Sequence, residues 1–518
     1  MDLGSLWHQA NRHAEQREWS RAEACLKAML VRQPGNAVVL ARLSEVVSRD
    51  GRYRDAHAMA MRASAAPKRL PADAAMRLLP RLRAFNEAGA FHGLLRGMGP
   101  ASRLTIPQLL SCASQISYFN QQELALEYLD EAKRADPDYP PTLLARAQVL
   151  VYLGRFDEAE AELLHCQRRA PDIAQLYWLL SRLRKQTASA NHVSQIRAQL
   201  SKPDRKPVER ALLAYALHKE LDDLGDHSKA AEALDLACRA KRSTLHYRSD
   251  DTRKLVDGLM RFVPSREARA PNDGPGVERT PVFIVGMHRS GTTLLEQLLA
   301  SHVDVRGIGE LYDFPVQMRQ AADHFGRGAI DAVIVERAVD MDFGEIGRRY
   351  LAGLEWRLGK EHYFTDKLPS NFLNIGFIAR ALPHARILHM VRDPVETCFS
   401  NLRELFSDAN PYSYDQLELA AYHREYRRLM AHWHAALPGR IMDVDYAELT
   451  RDPETVMRRV SEFCGLEFQP AMLDIKGRTR GVATASAVQV REGIVAREKP
   501  KWAPYAEYLK PMIEALHR

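Results

Sequence analysis

Residues 281–293, PVFIVGMHRSGTT, limit the possible folds of this chain more than any other stretch. An apolar run (Val282, Phe283, Ile284, Val285) ends in Gly286, a polar loop closes on Gly291, and Leu294, Leu295, Leu298 and Leu299 then share one helical face. Strand, glycine-bracketed loop and helix N-terminus in that order form an anion site, because unpaired backbone N–H groups converge there and the helix dipole favours negative charge. The spacing Gly286-x4-Gly291-Thr292-Thr293 is that of a nucleotide-triphosphate P-loop with one change. Thr292 stands where the lysine is expected, and Arg289 lies inside the loop. The loop is expected to hold phosphate, but not the phosphates of a triphosphate complexed with magnesium.

Further strand ends carry polar residues. Residues 305–311 place Glu310 after a short extended segment, and residues 363–371 end a strand at Asp366-Lys367. Residues 385–391, ARILHMV, stop at Arg392-Asp393-Pro394, and the helix that follows carries Thr397 and Ser400. Residues 440–446 read as another strand, followed by a helix with Pro453 in its first turn and Gly465 at its end. Strands alternating with helices predict a parallel sheet with ligands at the strand C-termini, where all these polar residues fall. Each has a plainer reading: Arg392-Asp393 as an internal salt bridge capping a helix, Glu310 as a helix cap. His423, His432 and His434 lie on an amphipathic helix and read as a solvated face, Tyr426 and Trp433 as core. His288 and His302 read as structural. His384 and His389 give no metal spacing, and no metal site is expected.

The first half shows a period. Trp19 with Ala22 recurs as Tyr53 with Ala56, and Leu124-Ala125 recurs as Phe156 with Ala159; Pro137 and Pro171 close the latter two units. An aromatic, an alanine and a helix-ending proline at 34 residues is the tetratricopeptide signature. Residues 70–107 read as a degenerate repeat, and residues 208–224 with 228–242 as a further helix pair. The array predicts an all-α solenoid whose concave face recruits a peptide or protein, or else packs structurally. Residues 268–279 are rich in Pro, Gly and Asp. The expected organisation is therefore a solenoid over 1–255, a linker over 256–279 and an α/β domain over 280–518.

Composition excludes several classes. The 518 residues are 46% hydrophobic and 27% charged, as in globular chains. No run approaches the roughly 20 apolar residues that span a bilayer, and the N-terminus turns polar at once, without a signal-peptide core. Six cysteines are scattered without a C-x-x-C pair, so reduced thiols and a cytoplasmic location are expected. The net charge of +7 suits anionic ligands, but the charges are interspersed, and nucleic acid is not an expected partner.

The PRSGTT-like loop, the strand ending in Arg392-Asp393-Pro394 with Ser400 eight residues later, and Lys501-Trp502-x-x-Tyr505 together resemble cytosolic and Golgi sulfotransferases. The closest resemblance is to the tyrosylprotein sulfotransferase-like branch and to bacterial proteins that place tetratricopeptide repeats before such a domain. It covers about residues 275–518, and the repeats extend it to nearly the whole chain. It implies a P-loop-type sulfotransferase domain whose donor is 3′-phosphoadenosine 5′-phosphosulfate (PAPS) and whose product is adenosine 3′,5′-bisphosphate. By the same resemblance Arg289, Ser290, Gly291, Thr292 and Thr293 would cradle the 5′-phosphosulfate. Arg392 and Ser400 would bind the 3′-phosphate, with Tyr446 near the nucleotide. Lys367 would stabilise the bridging oxygen and Glu310 would be the general base. Ser486 and Gln489, with Val490 and Arg491, would close over the donor, and Lys499 and Lys501 would add basic contacts.

The chemistry asks for the same residue types. Sulfuryl transfer passes through a planar SO₃-like species, so catalysis rests on alignment and on cations at the leaving phosphate. Without a β,γ-triphosphate no metal is needed, so Thr292 can replace the lysine while Arg289 and Lys367 supply charge. The acceptor hydroxyl must lose a proton, which calls for a carboxylate or histidine in reach. The expected activity is sulfuryl transfer from PAPS to a hydroxyl, with tyrosine of a peptide or protein as the favoured acceptor. The alternatives are a non-catalytic repeat scaffold with a relic nucleotide domain, and a P-loop kinase.

Overall fold

The computed structural model describes residues 2–66, 70–262, 279–326, 328–474, 493–495 and 499–517. Helical hairpins fill the first half. Their second helices begin at Trp19, Tyr53, Ala88, Gln122 and Phe156, steps of 34, 35, 34 and 34 residues. Residues 70–107 therefore continue the array, through Ala72–Ala84 and Ala88–Gly97. The alanines that carry the period, Ala22, Ala56, Ala125 and Ala159, are all fully buried, since a methyl side chain lets paired helices approach closely. Pro137 and Pro171 follow the helix ends at Ala135 and Arg169, where proline's missing N–H stops the helix.

The described residues form two compact units that are not consecutive in sequence. One joins Met1–Pro137 to Tyr312–Trp356. The second segment is helical: Asp313–Ala322, Ala332–Arg337 and Phe343–Leu354. It is bound to the repeats by particular contacts. Arg54 donates its backbone N–H to Asp323 (2.7 Å) and its Nε–H to the Gln320 carbonyl (2.9 Å), and Asn86 donates to Asp313 (2.5 Å). Tyr118 stacks on Tyr312 with ring centroids 5.9 Å apart.

The other unit joins Asp138–Leu311 to Arg357–Arg518. Its helices run from Pro140 to Arg261 in hairpins such as Pro207–Asp223 with His227–Arg242. Residues 256–261, expected at the head of a linker, instead continue the helix Ser249–Arg261; residues 263–278 lie outside the described residues. Among the described residues five strands then alternate with helices: β1 (Thr280–Gly286), β2 (Val305–Gly307), β3 (Tyr363–Asp366), β4 (Arg386–Val391) and β5 (Ile441–Asp445). The sheet order is β2-β3-β1-β4-β5, with every neighbour parallel. Central β1 is buried along its whole length, the reason its sequence is continuously apolar rather than alternating. Val282, Ile284, Leu388 and Met390 pack one face of the sheet against Leu295, Leu298, Val456 and Val460.

On the helix Gln416–Ala436, Trp433 is wholly buried and donates its indole N–H to the Phe372 carbonyl (3.0 Å). Tyr426 is core as expected, but His423 is buried as well, not solvated, because the helix packs on two sides. No helix among the described residues is long and apolar enough to cross a membrane.

Candidate functional site

The loop after β1 has the geometry its glycines demand. Gly286 has φ 151°, and a Cβ there would sit 2.8 Å from the Met390 carbonyl oxygen of β4. Gly291, at φ 113°, has the Tyr446 ring where a Cβ would go. Between them Arg289 adopts φ 67°, left-handed backbone that costs a non-glycine residue about 1–3 kcal/mol. Such strain persists only where the surroundings enforce it, and three bonds do so here. Asn401 donates to the His288 carbonyl (2.6 Å), Arg392 Nη1 donates to the Arg289 carbonyl (3.1 Å), and Arg289 Nε donates to Ser400 Oγ (3.3 Å). Ser290, Thr292 and Thr293 are buried at the start of the helix Thr292–Leu299, and Ser290 Oγ is buried with no hydrogen-bond partner among the described residues. An orphaned hydroxyl in a cradle of turned backbone fits an oxyanion.

Arg392 and Asp393 both bond to Glu396 of the helix that follows them, as the plainer reading expects. Asp393 caps the helix Pro394–Leu402 by accepting from the Glu396 N–H (2.8 Å). Arg392 faces the loop; its Nη2 pairs with Glu396 (2.8 Å) and its guanidinium lies 4.5 Å from the Tyr446 ring centroid. Arg289, Arg392, Ser400, Tyr446 and Lys501 line one cleft of about 690 Å³. Lys501 donates its backbone N–H to Glu396 (2.7 Å), whereas Lys499 is exposed and does not line the cleft. Ser486 and Gln489 lie outside the described residues.

Sequence reasoning missed the opposite wall, which is built from repeat helices. Trp178 and Arg182, one turn apart on Ala174–Leu183, line the same cleft, as do Tyr215 and Lys219 on Pro207–Asp223. Arg182 Nη1 bonds Glu404 (2.5 Å), and the other oxygen of that buried carboxylate stands 3.8 Å from Arg289. Burial lowers the Arg289 pKa, and Glu404 opposes the shift.

Glu310 and Lys367 meet at the ends of β2 and β3. Lys367 Nζ bonds Glu310 Oε1 at 2.6 Å; the lysine side chain is fully buried, while the glutamate is 33% exposed. Glu310 is no helix cap, since Tyr312 takes that position. The turn is held by Glu296, whose Oε1 accepts from Gly309 N–H (2.8 Å) and Thr365 Oγ1 (3.0 Å), and by Lys367 N–H donating to the Gly309 carbonyl (3.1 Å). A lone carboxylate amid the leucines of TTLLEQLL was the available signal for Glu296. His288 feels Glu310, Lys367 and Arg289 together. Burial, against the pull of Glu310, brings its pKa down to about 4, so the ring is neutral. The arrangement thus joins a loop suited to an anion, two arginines, and a carboxylate held by a buried ammonium.

Residues 281–470 match a family model described as Sulfotransferase family. The chain is 30% identical to an uncharacterized protein of Aquifex aeolicus (strain VF5) over 400 residues, 76% of this chain and 52% of that one. It therefore spans about half the length of that relative. It is 25% identical to protein-tyrosine sulfotransferase 1 of Danio rerio over 244 residues, 43% of this chain and 65% of that one. Among solved structures it is similar to the sulfotransferase domain from the curacin biosynthetic pathway, at 17% identity and a TM-score of 0.29 over 45% of this chain and 98% of that one. The α/β half thus contains a sulfotransferase-family domain, weakly homologous to protein-tyrosine sulfotransferases.

Proposed function

We propose that this protein transfers a sulfuryl group from PAPS to a hydroxyl, with tyrosine of a peptide or protein as the favoured acceptor. The observation that carries the reading is the ion pair of buried Lys367 with part-exposed Glu310, beside a loop whose strained backbone and orphaned Ser290 hydroxyl suit an oxyanion. Arg289 and residues 290–293 hold the phosphosulfate. Arg392 and Ser400, on the next βα turn, hold the 3′-phosphate, and Tyr446 packs beside Arg392. Glu310 accepts the acceptor's proton as the new S–O bond forms. The bond from sulfur to the bridging oxygen breaks, and Lys367 and Arg289 balance the charge that grows on the departing adenosine 3′,5′-bisphosphate. No step needs a metal ion.

The tyrosine acceptor is supported by the named zebrafish relative, and a protein acceptor by the repeat array, read as tetratricopeptide repeats over 1–255 that recruit it to a transferase over 280–518. All six cysteines are free, which supports a cytoplasmic setting. Transfer of label from PAPS to a tyrosine peptide tests the proposal. Glu310→Gln should slow transfer about 10²–10⁴-fold yet leave bisphosphate binding intact. A wild-type chain that binds bisphosphate but labels no hydroxyl acceptor would sink the catalytic reading and favour the scaffold.

A further inference from the structure

His389, His434 and Asp443 come from three separate elements: β4, the end of the helix Gln416–Ala436, and β5. Parallel register sets His389 directly against Asp443 across the two strands. His389 Nδ1 donates to Asp443 Oδ1 (2.7 Å), and His434 Nε2 donates to the same oxygen (2.8 Å). One ligand atom from each residue falls within 4.8 Å of the others. We propose that these three side chains form a binding site for a borderline divalent transition metal such as Zn²⁺, separate from the sulfuryl-transfer site.

The donor set suits such an ion: two imidazoles and a carboxylate fill three positions, and water fills the fourth. Metal bonds of about 2.0–2.1 Å at tetrahedral angles put ligand atoms about 3.3 Å apart. The bonds at 2.7 and 2.8 Å therefore need to open by only about half an ångström. The burial gradient is also right. His389 is buried, His434 is half-buried and Asp443 is exposed, which leaves an entry path and a solvent face for the water.

The far side of His389 is braced, as ligating imidazoles usually are. Tyr426 Oη hydrogen-bonds Nε2, keeping Nδ1 turned to Asp443. The same hydroxyl is bonded by the backbone of Met287, the residue after Gly286. When an ion takes the Nδ1 lone pair, the imidazole proton sits on Nε2 and is donated to Tyr426. The site thus touches the phosphate loop through one buried phenol, without sharing a residue with it.

Calorimetric titration of the chelator-treated full-length chain with Zn²⁺ tests the proposal, with Co²⁺ as a spectroscopic probe. One equivalent should bind at micromolar or tighter affinity, and the cobalt spectrum should lack a thiolate charge-transfer band. Asp443→Asn and His434→Ala should each weaken binding about tenfold or more while circular dichroism shows an intact fold. Absent binding, a thiolate band, or undiminished affinity in either variant would overturn it.

Discussion

Glu310 rests against a buried ammonium, and both groups depend on the geometry of a single turn. Replacing Glu310 by Gln keeps a hydrogen-bond acceptor for Lys367 but removes the base. The expected loss in kcat is about 10²–10⁴-fold with an unchanged dissociation constant for the bisphosphate, read from transfer kinetics and calorimetry. Glu296 acts differently. Its carboxylate satisfies Gly309 N–H and Thr365 Oγ1 in a dry interior. Glu296→Ala should cost about 1–3 kcal/mol of unfolding free energy for the donors left unpaired, and should lower kcat more than it changes donor affinity. A variant with wild-type unfolding and wild-type kcat would show that Glu296 is not what positions the turn.

At the scale of elements, the phosphate loop and the repeat helices confront each other across the cleft. Gly291→Ala has to move the Tyr446 ring and adopt φ 113°, so bisphosphate affinity should fall about tenfold or more by titration. Arg182→Ala releases Glu404 to pair fully with Arg289, and should likewise weaken donor binding, although Arg182 lies in the repeat array. The loop, the strands and the 34-residue period were legible because each depends on local order. A parallel strand buried on both faces reads as an apolar run, and a tight anion loop needs its glycines at fixed spacing. The ionic links were not legible. Arg182 with Glu404 and His389 with Asp443 meet only through packing or strand register, which no spacing along the chain encodes.

The molecule as a whole carries buried neutral histidines, which set a pH signature. His218 donates Nδ1–H to the Ala230 carbonyl (2.9 Å), and burial brings its pKa down to about 4; burial does the same for His423, to about 4. Unfolded histidine titrates near 6.5. Between those values the unfolded chain binds the extra proton, so stability is full above about pH 6.5 and is lost as pH falls toward 4, by up to about 3 kcal/mol for each ring. Thermal unfolding across that range should show the decline, and His423→Gln should make it shallower; an unchanged slope would mean that the ring is not buried neutral. The central claim is that the cleft holds a nucleotide with two separate phosphate groups. Titration with adenosine 3′,5′-bisphosphate without metal, set beside ATP with magnesium, tests it most directly. The account predicts micromolar or tighter binding of the bisphosphate, weakened about tenfold or more by Arg392→Ala, and none of comparable strength for ATP. Tight binding of ATP with magnesium while the bisphosphate gives no heat would contradict it.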